Sequence, residues 1–257
     1  MFRMLVCVMA ILANWPTEVV AQPADTRPNA PDHYGDIADP SVWPISAVGV
    51  VTVALFSRVH YCTGTLVAPK LVLTAAHCLF DNELVVKSGN VKFLAGLNKG
   101  VPTAYSNAKR LIVAREFLPG PPTAETIAND WAVIVLNDAI PIKPIAVRSM
   151  TEEELRTALN SSSVVQIGYG RDRRYLPSIV RHCSVTEGAN QRFLNHRCLT
   201  NFGYSGAPII AQIGDIVSII GINSVGAPEQ RTGVACSANQ FAKAVNELSK
   251  TEEFQRQ

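Results

Sequence analysis

The sequence predicts an all-β protein made of two successive sets of short strands, with an α-helix at its C-terminal end. Three observations predict this. Short Val/Ile/Leu-rich runs recur between Gly, Pro and Asn residues, no run alternates with long helical patterns, and the last stretch carries a 3.6-residue apolar period. Such spacing favours barrels or sandwiches over a parallel α/β sheet.

The first set comprises Ala47 to Phe56, Leu66 to Thr74, Val91 to Leu94, Leu111 to Val113 and Trp131 to Leu136. The second comprises Val164 to Ile167, His182 to Thr186, Pro208 to Ala211 and Ile216 to Ile222. Between them, Thr151 and Glu154 stand at capping-box spacing and predict a short helix that joins the sets. Ser237 and Gln240 repeat that spacing before Phe241, Val245 and Leu248, which fall on one helical face suited to lying on a barrel. The boundaries follow: a first barrel over about 45–150, a second over about 160–236, and a terminal helix over about 237–250.

The N-terminal segment has a different texture. Arg3, the apolar run Leu5 to Ala13 and the small-residue site Val19-Val20-Ala21 predict a signal peptide over 1–21. That run is too short to cross a bilayer, for which about 20 apolar residues are needed, so a secreted or periplasmic protein without membrane insertion is expected. Residues 22–44 are rich in Pro, Asp and Asn and predict a leader or propeptide-like segment, packed on or tethered to the domain that occupies 45–257.

Charged residues make up 17% of the chain, with 23 Lys+Arg against 21 Asp+Glu. That balance excludes the basic footprint of a nucleic-acid partner. No glycine-rich phosphate loop follows a strand, and no cofactor is expected. Of six cysteines, Cys7 leaves with the signal peptide. Export permits disulfides, and Cys62 with Cys78 and Cys183 with Cys198 are the expected pairs, leaving Cys236 odd; a Cys198–Cys236 pair is the alternative. Four His/Cys neighbours invite a zinc reading, but adjacent strand residues face opposite sides, so no metal site is expected.

Three strings carry the chemistry. In Cys62-Thr-Gly-Thr-Leu-Val-Ala-Pro-Lys-Leu-Val-Leu-Thr-Ala-Ala-His77-Cys78, an apolar strand delivers a histidine beside a cysteine that can staple it. A general base needs a fixed ring and one tautomer, which such a staple provides. In Asn201-Phe-Gly203-Tyr-Ser205-Gly206-Ala-Pro208, flanking glycines permit a tight turn that exposes a hydroxyl and frees the amides of Gly203 and Ser205 for a developing oxyanion. In Asn129-Asp130-Trp131-Ala-Val-Ile-Val-Leu136, a carboxylate at the lip of a buried strand can hold a histidine tautomer. Singly, these strings read as a structural histidine, a glycine-rich turn and a turn-capping aspartate.

Together they resemble the trypsin/chymotrypsin-like serine peptidases, within them most nearly the bacterial branch that includes the glutamyl endopeptidases. Thr74 to Cys78, Asp130 to Val133 and Gly203 to Pro208 match the family strings, in the family order, at separations of 53 and 75 positions. The resemblance implies two six-stranded antiparallel β-barrels and a monomeric serine endopeptidase that cuts polypeptide substrates. It implies His77, Asp130 and Ser205 as the catalytic residues, Gly203 and Ser205 as the oxyanion hole, and an acyl-enzyme intermediate. A peptidase-like barrel that grips peptides without turnover is the alternative. Gly168-Tyr169-Gly170 resembles the family's Gly-x-Gly, and Ser224-Val225-Gly226 its substrate-binding strand.

The chain departs from the pattern in two places. Tyr204 stands where trypsin-like enzymes carry an aspartate that pairs with a newly cut N-terminus, and tyrosine is neutral at physiological pH. In the specificity positions stand Leu199, Thr200 and Asn223. None is charged, which predicts a small or medium uncharged residue before the cut rather than Arg, Lys or strictly Glu.

Overall fold

The computed structural model describes residues 34–160, 164–227 and 231–251. The expected signal peptide and the first part of the expected leader lie outside the described residues.

The first strand set closes on itself. Strands Val48–Ala54, Val59–Ala68, Leu71–Thr74, Ala132–Leu136, Ala104–Val113 and Val91–Ala95 pair in that order, antiparallel throughout, around a six-stranded barrel. β-Branched residues dominate the members that are buried on both faces: Leu71–Thr74 and Ala132–Leu136 expose no residue. The second set forms a nine-stranded, mostly antiparallel sheet that curls as a half-barrel. Its main path runs Asp36–Ile37, Ser178–Arg181, Val164–Gly168, Pro208–Ile213, Ile216–Ala227, Thr232–Ser237, Phe193–His196 and Val185–Glu187, and Ala146–Val147 pairs parallel with Ile216–Ala227.

The linker helix spans Glu152–Asn160, and Thr151 and Glu154 exchange the reciprocal capping hydrogen bonds that their spacing predicts. The terminal helix spans Ala238–Ser249. Its cap differs in detail from expectation, since the Ser237 hydroxyl accepts from the Asn239 N–H rather than from Gln240. Phe241 and Val245 are buried, Leu248 packs against the same core, and the Phe241 ring meets Trp131 of the first barrel at 6.2 Å. The helix therefore touches both halves.

Cys62–Cys78 and Cys183–Cys198 are disulfides, and Cys236 is a buried free thiol that donates to the Ala128 carbonyl at 3.2 Å. Burial pushes that thiol's pKa well up, which fits an inert packing role.

The end of the 22–44 segment is built into the second half. Asp36–Ile37 pairs with Ser178–Arg181, the Ala38 N–H donates to the Pro177 carbonyl, and Arg181 pairs with Asp36. Tyr34 is buried, and its carbonyl accepts from the Tyr204 hydroxyl at 2.7 Å. The tyrosine that stands in place of a family aspartate is thus tied to this segment by a neutral hydrogen bond. Its burial raises the phenol pKa further, so it stays uncharged.

Candidate active site

His77 and Asp130 meet because their strands are neighbours. Leu71–Thr74 pairs with Ala132–Leu136, with Thr74 opposite Ala132, so the chain leaving one strand and the chain entering the other emerge at the same end. His77 sits on the short turn Ala76–Leu79, stapled through Cys78 to Cys62 of strand Val59–Ala68. Asp130 follows the helix Ala124–Ala128, whose Thr123 and Thr126 form a capping box, and its own N–H donates to Ile127.

The carboxylate grips the histidine twice. Asp130 Oδ1 accepts the His77 main-chain N–H at 2.9 Å, and Oδ2 accepts Nδ1–H at 2.7 Å. Ser224 adds its hydroxyl to Oδ2. With the proton held on Nδ1, Nε2 is left with a lone pair. Asp130 is 2% exposed, whereas 40% of the His77 side chain faces solvent. Burial works to raise the Asp130 pKa, but the His77 charge and the hydrogen bonds from His77 and Ser224 outweigh it and hold it below the ordinary value. For His77, burial works downward, while the charge and hydrogen bond of Asp130 win and raise its pKa.

The Ser205 turn is pressed against this end of the first barrel. The Ser205 carbonyl accepts the Thr63 N–H at 2.8 Å, and the Gly206 N–H donates to Asn223 at 2.8 Å. Gly206 has φ +78°, and a Cβ there would stand 2.4 Å from both the Thr63 carbonyl and Thr74 Oγ1 and 2.8 Å from the Ala75 N. Only glycine permits this approach, which brings the serine beside the turn that carries His77. The Ser205 side chain is half-buried, and among the described residues its hydroxyl makes no hydrogen bond, to His77 or elsewhere. Such contacts commonly tighten only when substrate is present.

The backbone of the turn is oriented from outside. The Phe202 carbonyl accepts the Arg171 N–H at 2.7 Å. Because a trans peptide sets C=O and N–H on opposite sides, this bond aims the Gly203 N–H away from Arg171. Among the described residues neither the Gly203 nor the Ser205 N–H has an acceptor. Both amides lie on a glycine turn, with Gly203 at φ +100°, and unpaired backbone N–H groups are the donors that a developing negative charge needs.

Thr63 was not singled out from the sequence. Fully buried, it donates its N–H to Ser205 and its hydroxyl to the Gly203 carbonyl at 2.9 Å, and accepts the Tyr169 N–H at 3.1 Å. One side chain of the first barrel thus joins two loops of the second. Thr63→Ala leaves the half-buried Gly203 carbonyl and the buried Tyr169 N–H without partners, and is expected to cost about 1–3 kcal/mol, measurable as a lower urea midpoint.

Of the other predicted residues, Leu199 is partly buried against the core, Thr200, Asn223 and Ser224 are buried, and Gly226 is exposed. The Ser224 side chain is used by Asp130, and a bulge at this position interrupts the pairing with Thr232–Ser237. Beyond Asn223, which still bonds to Gly206 and Ala207, the strand Ile216–Ala227 pairs among the described residues only with Thr232–Ser237, so residues 224–227 have one open edge there. Next to it lies a groove of about 240 Å³ lined by His77, Phe117, Gly120, Pro122, Ser224 and Val225, among others. A larger groove of about 760 Å³ near Phe56 and Leu84 shares no lining residue with it. Cys62, His77 and Cys78 place their ligand atoms within 4.8 Å of one another, but the two sulfurs are joined to each other and offer no thiolate to a metal.

The Trypsin family model matches residues 42–245 of the chain. The serine protease SP24D of Anopheles gambiae is 33% identical over 137 residues, which cover 51% of this chain and 46% of that protein. The chain thus spans about half the length of this relative. A solved structure of a Glu endopeptidase in complex with MPD superposes with a TM-score of 0.63 at 20% identity, over 84% of this chain and 95% of that one. At that identity the likeness is one of fold.

Proposed function

The chain belongs to the trypsin family, and from that membership we propose that it is an exported serine endopeptidase in which Ser205 is the nucleophile, His77 the general base and Asp130 the group that orients the base. The observation that carries this reading is the double grip of Asp130 on the main-chain N–H and Nδ1–H of His77, 2.9 and 2.7 Å long, which leaves Nε2 as the basic nitrogen of the ring. The paired disulfides support export, since such bonds persist in oxidising compartments. Among the described residues no helix is long and apolar enough to cross a membrane.

In this reading His77 Nε2 takes the Ser205 proton as Oγ attacks the peptide carbonyl. The Gly203 and Ser205 amides receive the oxyanion, and the imidazolium is stabilised by the buried Asp130 carboxylate. The proton then passes to the departing amine, and water enters by the same route to hydrolyse the acyl-enzyme. The open edge at Ser224–Gly226 pairs with extended substrate backbone, an association that draws its affinity from main-chain hydrogen bonds.

The test is incubation of the purified protein with an unfolded polypeptide, together with a fluorophosphonate probe. New peptide termini and one adduct, on Ser205, are expected; neither cleavage nor labelling would contradict the reading. The pH profile is a second check. A protonated His77 is inert, and its pKa lies above the ordinary 6.5, so kcat/KM should rise with pH through a midpoint above 6.5. A midpoint below that value would show that the carboxylate does not stabilise the imidazolium.

A further inference from the structure

Beside the Ser205 turn, Thr200, His196 and Asn223 gather around a pair of facing glycines. The paired strands Ile216–Ala227 and Thr232–Ser237 set Gly226 opposite Gly233. Two side chains fill the room these glycines leave. A Cβ on Gly226 would stand 2.8 Å from Thr200 Cγ2, and one on Gly233 would stand 2.4 Å from Cε1 and 2.6 Å from Nε2 of His196. Asn223 lies on the same strand, and its backbone is braced to the Ser205 turn in both directions: its carbonyl accepts the Gly206 N–H and its N–H donates to Ala207, each at 2.8 Å.

Hydrogen bonds then set the polarity of the lining. The Cys198 N–H donates to His196 Nδ1 at 3.3 Å, so that nitrogen carries no proton, and the neutral ring holds its proton on Nε2. Nε2–H faces the Asn223 side-chain oxygen at 2.9 Å. A main-chain amide thus dictates the imidazole tautomer, and the tautomer dictates which way the Asn223 amide turns. Asn223 Nδ2 is left as a donor without a partner among the described residues. Among the described residues Thr200 Oγ1 also has no partner, although Thr200 is only 1% exposed. Burial holds His196 uncharged, its pKa pushed down to about 4 against the smaller opposing effect of its hydrogen bonds.

We propose that Thr200 and Asn223 select a primary carboxamide, the side chain of glutamine or asparagine, on the substrate residue whose carbonyl is attacked. The inference rests on the peptidase reading and adds the substrate class to it. The carboxamide oxygen accepts from Asn223 Nδ2, and its NH₂ donates to Thr200 Oγ1, so both unpaired groups are satisfied at once. A carboxylate would arrive charged where Thr200, Asn223 and a neutral His196 offer no cation. An ammonium or guanidinium would meet a donor, and an aliphatic group would leave Thr200 Oγ1 unpaired as it stands and cover Asn223 Nδ2 without giving it an acceptor.

The experiment compares peptides that are identical except for Gln, Asn, Glu, Leu or Lys before the cut, with active enzyme counted by fluorophosphonate titration. One of the two amide peptides is expected to exceed Glu, Leu and Lys in kcat/KM by about tenfold or more, and the contest between Gln and Asn reports how far from the substrate backbone Thr200 and Asn223 hold the amide. Thr200→Val and Asn223→Leu should each lower the amide-to-Leu ratio by about tenfold. A Glu, Leu or Lys peptide as the best substrate of enzyme that the probe labels would overturn the inference and leave the peptidase reading standing. So would an amide-to-Leu ratio that both variants leave unchanged. Absence of both labelling and hydrolysis would overturn the peptidase reading and this inference with it.

Discussion

Ser205→Ala is expected to lower kcat for peptide hydrolysis by about 10⁶-fold while leaving the fold intact. The reason for the separation is structural. The contacts that place residue 205 run through its backbone, with its carbonyl on the Thr63 N–H, while the hydroxyl makes no hydrogen bond among the described residues. Removing Oγ therefore deletes the nucleophile without orphaning a buried partner, and the thermal midpoint should move little. Parallel measurement of kcat and of thermal unfolding checks both halves. Hydrolysis that survives the substitution would require another nucleophile, and a collapsed midpoint would mean that the hydroxyl is structural.

Asp130→Asn should lower kcat by about 10⁴-fold. The carboxylate accepts from the His77 N–H, from Nδ1–H and from Ser224. An asparagine keeps the size but turns an NH₂ toward one of these partners, which favours the imidazole tautomer with its proton on Nε2, where it cannot accept from Ser205. Because Asp130 is also what raises the His77 pKa against burial, the midpoint of the residual activity should fall to lower pH. A pH–rate profile of the variant measures both effects. An undiminished rate, or an unmoved midpoint, would remove Asp130 from the proposed role.

Much of this was legible in the chain itself, for definite reasons. The strand before His77 is a run of apolar and β-branched residues, the staple Cys62–Cys78 spans its hairpin, and Thr151 and Glu154 stand at cap spacing; each is a local rule that the fold obeys. Strand Ala104–Val113 was visible only at its apolar end, because residues 104–110 carry alternating polar side chains on an exposed face. Phe193–His196 and Thr232–Ser237 are too short or too polar to announce themselves and depend on their partners in the sheet. The attachment of Tyr34 to Ile37 was hidden for a related reason: Pro, Asp and Asn around it suppress any apolar period, and pairing with Ser178–Arg181 imposes the strand from outside. Thr63 and His196 act through partners more than 25 positions distant, Gly203 and Asn223, and no sequence pattern encodes such contacts.

In the proposed site a serine hydroxyl, a base and two free amides converge on one carbonyl. A crystal structure of the protein treated with a peptidyl phosphonate tests it most directly. Expected are phosphorus bonded to Ser205 Oγ, a phosphoryl oxygen about 2.7–3.1 Å from the Gly203 and Ser205 nitrogens, and His77 Nε2 turned toward Ser205 Oγ. An adduct on another residue, or on Ser205 with that oxygen directed away from both amides, would contradict it.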